Sequence, residues 1–373
     1  MAAKEFSPAD PRSIRAAMES AQAGDIISIP PGEYDMVDTI ATGNSGTPGA
    51  PIIMRTSGDK SYAKLKITAG SDVGFRIISR FWVLRGVHIE GNLTKTEDLI
   101  QIDATRGGGD FLMSDCRVSR CREFLLKGSR NRDKGADNVT LDHCEWFDTN
   151  ATGIDIVGGD NWIIRGNYVH DYGKDGGVHY GMFLKGGGRN GLIEGNFVDG
   201  KAGKVTVGIS FGGGLTDHRF LPELAGGKFV PEHLNGICRN NIVINTGDCA
   251  YHTNNASGCK FYNNLAYGCG AGFQRQASYP QDPALMNNIF SGKIRGAGDS
   301  QANLTKVESS WFMDAASNDF RLSSAGKTAL SGKGQQIEAN PSDFFNQPRK
   351  TSDLGPVNAG ASISTRWVDR RMP

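Results

Sequence analysis

The stretch GGVHYGMFLKGGGRNGLIEGN, Gly176 to Asn196, sets four chemically capable side chains among glycines and apolar residues: His179, Tyr180, Lys185 and Arg189. An amine, a phenol and an imidazole this close together can remove a proton from carbon and return one to a leaving oxygen. Farther along, DCAYHTNNASG adds His252 and Asn254, and GAGFQRQASYPQ adds Gln274, Arg275 and Gln276. Upstream, EFLLKG carries Lys127 and GIDIVG carries Asp155. His218 and Arg219 fall in a segment rich in glycine and proline. The run GGGRNG lacks the strand-to-helix context of a phosphate cradle, so a nucleotide loop is set aside.

The elements that must position these groups emerge from an internal repeat. WVLRGVHIEG, FLMSDCRVSR, VTLDHCEWFD, WIIRGNYVHD, GLIEGNFVDG, GICRNNIVIN, CKFYNNLAYG and ALMNNIFSG share one pattern: an apolar strand, two polar or small residues, an Asn or Cys, then more apolar residues. Val87, Cys116, Cys144, Asn167, Asn196, Asn241, Asn264 and Asn288 hold equivalent places, separated by 29, 28, 23, 29, 45, 23 and 24 residues. A period in the twenties with short strands predicts an all-β fold, a parallel β-solenoid whose coils stack about 4.8 Å apart. The asparagines are expected to hydrogen-bond along the stack, with the small cysteines filling the same slot. A β-sandwich would require hairpins and two-sided alternation instead.

The long interval predicts a loop leaving the solenoid at about 212–236, and long loops in compact domains are often functional. Residues 1–30 read as a short helix over Ile14–Ala21 and a first strand, a cap for the open solenoid end. WFMDAASNDFRLSSAGKTAL reads as a degenerate last coil, and the tail from about 335 to 373 as a segment packing back on the body. The expectation is a single domain over 1–373.

Aligning LIQIDA, EFLLKG, GIDIVG, GMFLKG and GISFGG places Asp103, Lys127, Val157, Lys185 and Gly212 in one outward column, with Asp155, Phe183 and Ser210 in the next. Lys185 then points away from a core of Met182 and Leu184. The reading is a shallow groove with cations at its floor, suited to an anionic sugar chain. Gly186 to Gly188 are expected to let substrate approach the backbone.

Composition narrows the classes. Lys and Arg number 41 against 40 Asp and Glu, so no global field favours nucleic acid or a membrane. No apolar run is long enough to span a bilayer. Glycine, at 50 residues without collagen periodicity, indicates many turns. Seven cysteines at no zinc spacing describe neither a disulfide framework nor a metal site.

AQAGDIISIPPGEYDMVDTI followed by GTPGAPIIMRTSG, the paired-asparagine coils, and the closing NDFRLSSAGKTALSGKG together resemble the pectin-lyase-like family of right-handed parallel β-helices. The opening coil is similar to that of polysaccharide lyases of the alginate lyase and chondroitinase B type. In that group a catalytic lysine ends a strand beside acidic calcium ligands. GMFLKGGGRNGLIEGN resembles that strand, which implies Lys185 as the base. Val178 and Tyr180 stand where acidic ligands are expected, so the expectation is a site without metal or other cofactor. Calcium held by Asp155, Asp160 and Asp175 is the alternative.

The expected function is a lyase cleaving a uronate-containing glycan, alginate first, by β-elimination. Arg275 or Lys127 would neutralise the carboxylate, Lys185 would take the proton, and Tyr180 or His179 would protonate the leaving oxygen, with His252 a second candidate base. Lys127, Asp155, Asn254, Gln274, Gln276, Arg189, His218 and Arg219 are the candidate substrate contacts. The alternatives are a glycoside hydrolase, a C5-epimerase and a non-catalytic glycan-binding solenoid. The expected partner is an anionic polysaccharide, the expected state a monomer, and the expected location secreted or periplasmic after removal of a signal segment.

Overall fold

The computed structural model describes residues 3–58, 61–68, 72–130, 134–213, 216–217, 220–224, 227–276, 282–349 and 352–358. Three long parallel sheets form its body, of twelve, ten and ten strands. Each coil visits the three in turn. One coil runs through Ile52–Thr56 of the first sheet, Ala63–Ile67 of the third and Val73–Ile77 of the second, and the next begins at Arg80–Arg85. This is a parallel β-helix. The interior is one continuous apolar cluster from Ile14 to Phe290.

The repeat has a specific geometric cause. Before each ladder residue stands one in the left-handed conformation: Gly86, Asp115, His143, Gly166, Gly195, Asn240, Asn263 and Asn287. Glycine, asparagine and aspartate tolerate that conformation best. The left-handed residue turns the chain sharply from the first sheet into the third. The next side chain then points inward along the stack. Asn241 is typical. Its backbone N–H donates to Asn264 Oδ1 at 3.0 Å, its Nδ2 donates to Ile193 O at 2.9 Å, and its Oδ1 accepts from Asn196 N at 3.0 Å. The "NN" pair is thus one turn residue and one rung. Cys116 and Cys144 occupy rungs, as the spacing implied. The ladder gains one rung that the spacing did not reveal: Asn288 N donates to Asn303 Oδ1 at 2.9 Å, only 15 residues on. All seven cysteines are free thiols.

The helix spans Pro11–Ser20, opened by a capping box of Asp10 and Ser13, and buries Ile14, Ala17 and Met18 on the solenoid end. The stretch read as a last coil is instead an antiparallel hairpin, Phe312–Asp314 with Asp319–Leu322, followed by a helix Ser324–Leu330. Hairpin, helix and tail lie against the third sheet. Phe312, Phe320, Leu330, Phe344 and Leu354 cluster there with Phe197, Ile242, Leu265 and Ile289. Among the described residues no helix is long and apolar enough to cross a membrane.

The 212–236 segment carries structure of its own. Glu223–Leu224 pairs antiparallel with Lys228–Phe229, and His233–Leu234 bridges Gly188–Arg189 and Ala256–Ser257 in a small parallel sheet.

Candidate active site

Register along the second sheet decides which side chains meet. Its core residues stack Leu126 on Ile154 on Met182 on Ile209. The outward row beside them is therefore Arg76, Gln101, Lys127, Asp155, Phe183, Ser210, His252, Gln274 and Arg295. Lys185 stands in the neighbouring row, opposite Val157. The sequence alignment had put Lys127 in the Lys185 row, because it matched the two Lys-Gly dipeptides. The structure pairs Lys127 with Asp155 instead, two residues away; both registers keep the apolar set on the core face, so alternation along the strand does not choose between them.

The shift places one aspartate between two lysines. Lys185 Nζ stands 3.4 Å from Asp155 Oδ1, and Lys127 Nζ stands 3.8 Å from Oδ2. Asp155 is buried, while both ammonium groups keep partial access to solvent. Each lysine also lies over an aromatic ring. Lys127 Nζ is 3.9 Å from the Phe124 centroid and Lys185 Nζ is 4.4 Å from that of Phe183. The three side chains thus form a cation–anion–cation cluster on aromatic supports, rather than the open row of cations expected.

Tyr180 stacks on Phe183 with centroids 4.3 Å apart, and its ring lies 6.2 Å from His252. Burial pushes the Tyr180 hydroxyl up to about 12, so the phenol keeps its proton near neutrality and serves as a donor. His252 is only 1% exposed. Its Nδ1 meets Ser210 Oγ at 2.9 Å, and that hydroxyl donates to Gly212 O at 2.6 Å. With the hydroxyl proton so committed, Nδ1 is the protonated nitrogen and Nε2 keeps a lone pair. Burial lowers His252 to about 4, a hydrogen bond with Gln276 working against the shift. Asn254 Nδ2 donates to Gln276 Oε1 at 3.0 Å. Lys127, Asp155, Lys185, Tyr180, His252, Asn254 and Gln276 therefore form one connected face.

The other candidates have separate partners. His179 Nε2 lies 2.6 Å from Asp175 Oδ1, Arg189 pairs with Asp160 at 3.3 Å, and Arg275 pairs with Asp282 at 2.5 Å. Gln274 Oε1 accepts from Arg295 at 2.9 Å. His218 and Arg219 lie outside the described residues. The three aspartates considered for calcium are not brought together: Asp155 is held by lysines, Asp160 by Arg189 and Asp175 by His179. Among the described residues no three His, Cys, Asp or Glu side chains converge as a metal site.

Sequence reasoning passed over Asp98. It begins the strand Asp98–Asp103, is 7% exposed, and accepts from Gln101 Nε2 at 3.2 Å while its Oδ1 has no hydrogen-bond partner. Burial pushes its carboxyl up to about 7, against the pull of Lys127. A folded-state value above the ordinary 3.8 makes ionisation unfavourable to folding. Stability drawn from this group is complete below about pH 4 and is lost as pH rises through about 7. Asp98→Asn should therefore melt higher than the parent at pH 8, with the difference vanishing toward pH 4 in parallel thermal scans. Its only sequence signal was an acid opening an apolar strand.

The glycines after Lys185 serve the chain itself. Gly186 and Gly187 have φ of +69° and +79°, and a Cβ on Gly187 would stand 2.8 Å from Pro222 Cδ and from Val230 Cγ2 of the long loop. Glu232 pins that loop. Its carboxylate, 3% exposed, accepts from Gly186 N at 2.8 Å, Thr216 N at 2.7 Å and Thr216 Oγ1 at 2.6 Å. Glu232→Ala leaves two buried N–H groups unpaired, so limited proteolysis within the loop should speed up by about tenfold or more. Gly213 lies so close to Lys185 that a Cβ there would be 3.1 Å from Lys185 Cδ. The start of the loop thus lies against the Lys185 side chain.

No family model and no curated protein sequence matches the chain. Solved structures do. The pectate lyase Pel9A matches with a TM-score of 0.55 at 14% identity, over 96% of this chain and 97% of that one. A rhamnogalacturonan lyase matches with a TM-score of 0.53 at 15% identity, over 87% and 98%. The GH136 lacto-N-biosidase from Eubacterium ramulus matches with a TM-score of 0.54 at 10% identity, over 81% and 67%. At such identities the likeness is one of fold, and it confirms the architecture that the repeat implied. The chain is a right-handed parallel β-helix, a fold that polysaccharide lyases share with glycoside hydrolases.

Proposed function

We propose that the protein is a polysaccharide lyase that cleaves a uronate-containing glycan, alginate in the first instance, by β-elimination on the outer face of the second sheet. The observation that carries this reading is the Lys127–Asp155–Lys185 row with the Tyr180 phenol beside it. Lys127 receives the substrate carboxylate, and Arg76, with no ion pair among the described residues, extends the positive rim. Neutralising that carboxylate acidifies the C5 proton. Lys185 in its free-amine form takes the C5 proton, and Asp155 stabilises the ammonium that results. Tyr180 then gives its phenolic proton to the departing glycosidic oxygen. His252 is neutral at pH 7 but too enclosed to reach substrate, which favours Lys185 as base. A polymer of this kind is met outside the cytoplasm, so the working location is secreted or periplasmic.

One observation favours a hydrolase as the second reading. Asp98, protonated up to about pH 7, and Asp155 both act on Lys127, and two carboxyl groups in unlike environments suit acid and nucleophile or base. The experiment that decides is incubation with alginate, pectate, chondroitin and hyaluronan, with and without EDTA. An absorbance rise from unsaturated uronate supports the lyase. New reducing ends without it support the hydrolase, altered C5 stereochemistry without cleavage an epimerase, and binding without turnover a glycan-binding solenoid.

A further inference from the structure

The outward row at the end of the first sheet reads Ser28, Arg55, Arg85, Ser114, Asp142, Arg165, Glu194, Arg239. In its second half the charges alternate and pair. Arg165 meets Asp142 at 3.0 Å and Arg239 meets Glu194 at 2.6 Å. Like charges facing each other across strands are unfavourable, so alternation is the stable arrangement. It fails at one place. Arg55 and Arg85 are direct neighbours, about 4.8 Å apart along the stack. Among the described residues Arg55 pairs with Glu5 alone, at 3.2 Å on the exposed rim. Arg85 has no ion pair among the described residues, and its Nε donates to Ser114 Oγ at 3.3 Å.

These two guanidinium groups line a cavity of about 480 Å³ at the corner between the first and third sheets. Its size is within the range of small-ligand sites. Ser28, Ser57 and Ser61 contribute hydroxyls to the wall, and Tyr62 contributes its ring. The Tyr62 hydroxyl has no hydrogen-bond partner among the described residues. Burial raises it, so it remains a donor. Past Tyr62, Arg117 lies 5.9 Å from the Tyr62 centroid and 4.8 Å from that of Phe147, so rings and a cation continue along the third sheet. Asp115 and Glu5 stand at the edge, able to accept hydrogen bonds from sugar hydroxyls.

We propose that this corner is a second binding site for an acidic glycan, distinct from the Lys185 groove, in which Arg55 and Arg85 jointly clasp one carboxylate or sulfate and Tyr62 underlies the sugar ring. Paired guanidinium groups supply the bidentate donors such an anion takes. The site would hold a polymer strand on the solenoid while another part of it lies in the groove. It rests on the reading of the protein as one that handles acidic polysaccharides, but not on cleavage.

The test is calorimetric titration of the full chain carrying Lys185→Ala with alginate and chondroitin sulfate hexasaccharides, compared with the same chain carrying Arg55→Ala and Arg85→Ala as well. Both arginines are exposed, and a melting curve checks that the fold survives. The expected result is two sites in the first protein and one in the second, the lost site weakened at least tenfold and partly restored by Arg55→Lys with Arg85→Lys. Identical isotherms would overturn the proposal. Inorganic sulfate binding there as tightly as the hexasaccharide would overturn the glycan assignment. If the unsubstituted protein cleaves none of the polymers yet loses binding with the arginines, this site stands and the lyase reading falls.

Discussion

Lys185→Ala should reduce kcat on the preferred polymer by about a thousandfold, the middle of the range for loss of a general base. KM should change little, because Lys127 and Arg76 still receive the carboxylate. Lys185→Arg separates chemistry from packing. Arginine can keep the Asp155 ion pair and the place over Phe183, yet it does not give up its proton in proteins. If Lys185 is the base, the arginine variant is nearly as inactive as the alanine variant while melting close to the parent. If Lys185 only supports Asp155, the arginine variant retains most of its activity, and the base must be sought elsewhere. A variant at Asp98 bears on the hydrolase reading. There Asp98→Asn should abolish activity outright, whereas in the elimination scheme Asp98 takes no part.

Asn241→Leu should be among the most destabilising single changes in the molecule, by about 3–5 kcal/mol. Leucine is of similar size, so volume is not the issue. The asparagine serves both neighbouring coils. Removing it leaves the Asn196 N–H without its partner and takes one bond each from Asn196 Nδ2, which keeps Ile164 O, and from the Ile193 carbonyl, in a site fully shut from water. A buried polar group deprived of its partner costs about 1–3 kcal/mol each. The urea midpoint should fall accordingly. Asn303→Leu is the internal control. That rung ends the ladder and is partly exposed, so water can replace its bonds and the loss should be much smaller. Equal losses at the two positions would mean that the ladder contributes through side-chain volume and not through hydrogen bonding.

The coil repeat was readable from residue types alone because its cause is local. A left-handed turn residue followed by a small polar rung is a two-residue requirement, and it recurs wherever the chain turns from the first sheet into the third. Asn240–Asn241, Asn263–Asn264 and Asn287–Asn288 state it directly, and Asp115–Cys116 and His143–Cys144 state it in other residues. The amphipathic cap of residues 11–20 was readable for a similar reason: its signals lie within one helix and its box.

The site was readable only in part. Lys185 on the outward face followed from the alternation of one strand. Its relation to Lys127 and Asp155 did not, because register between coils is set by which core side chains nest together, here Leu126, Ile154 and Met182, and no local pattern encodes that choice. The same holds for Asp98, whose unusual proton affinity arises from burial and from Lys127 on the neighbouring strand, and for the glycines after Lys185, whose purpose became visible only with Pro222 and Val230 lying on them. Local sequence determined which residues turn and which point inward. Tertiary packing decided which charges face each other across the coils, since that depends on a register that is a property of the whole core.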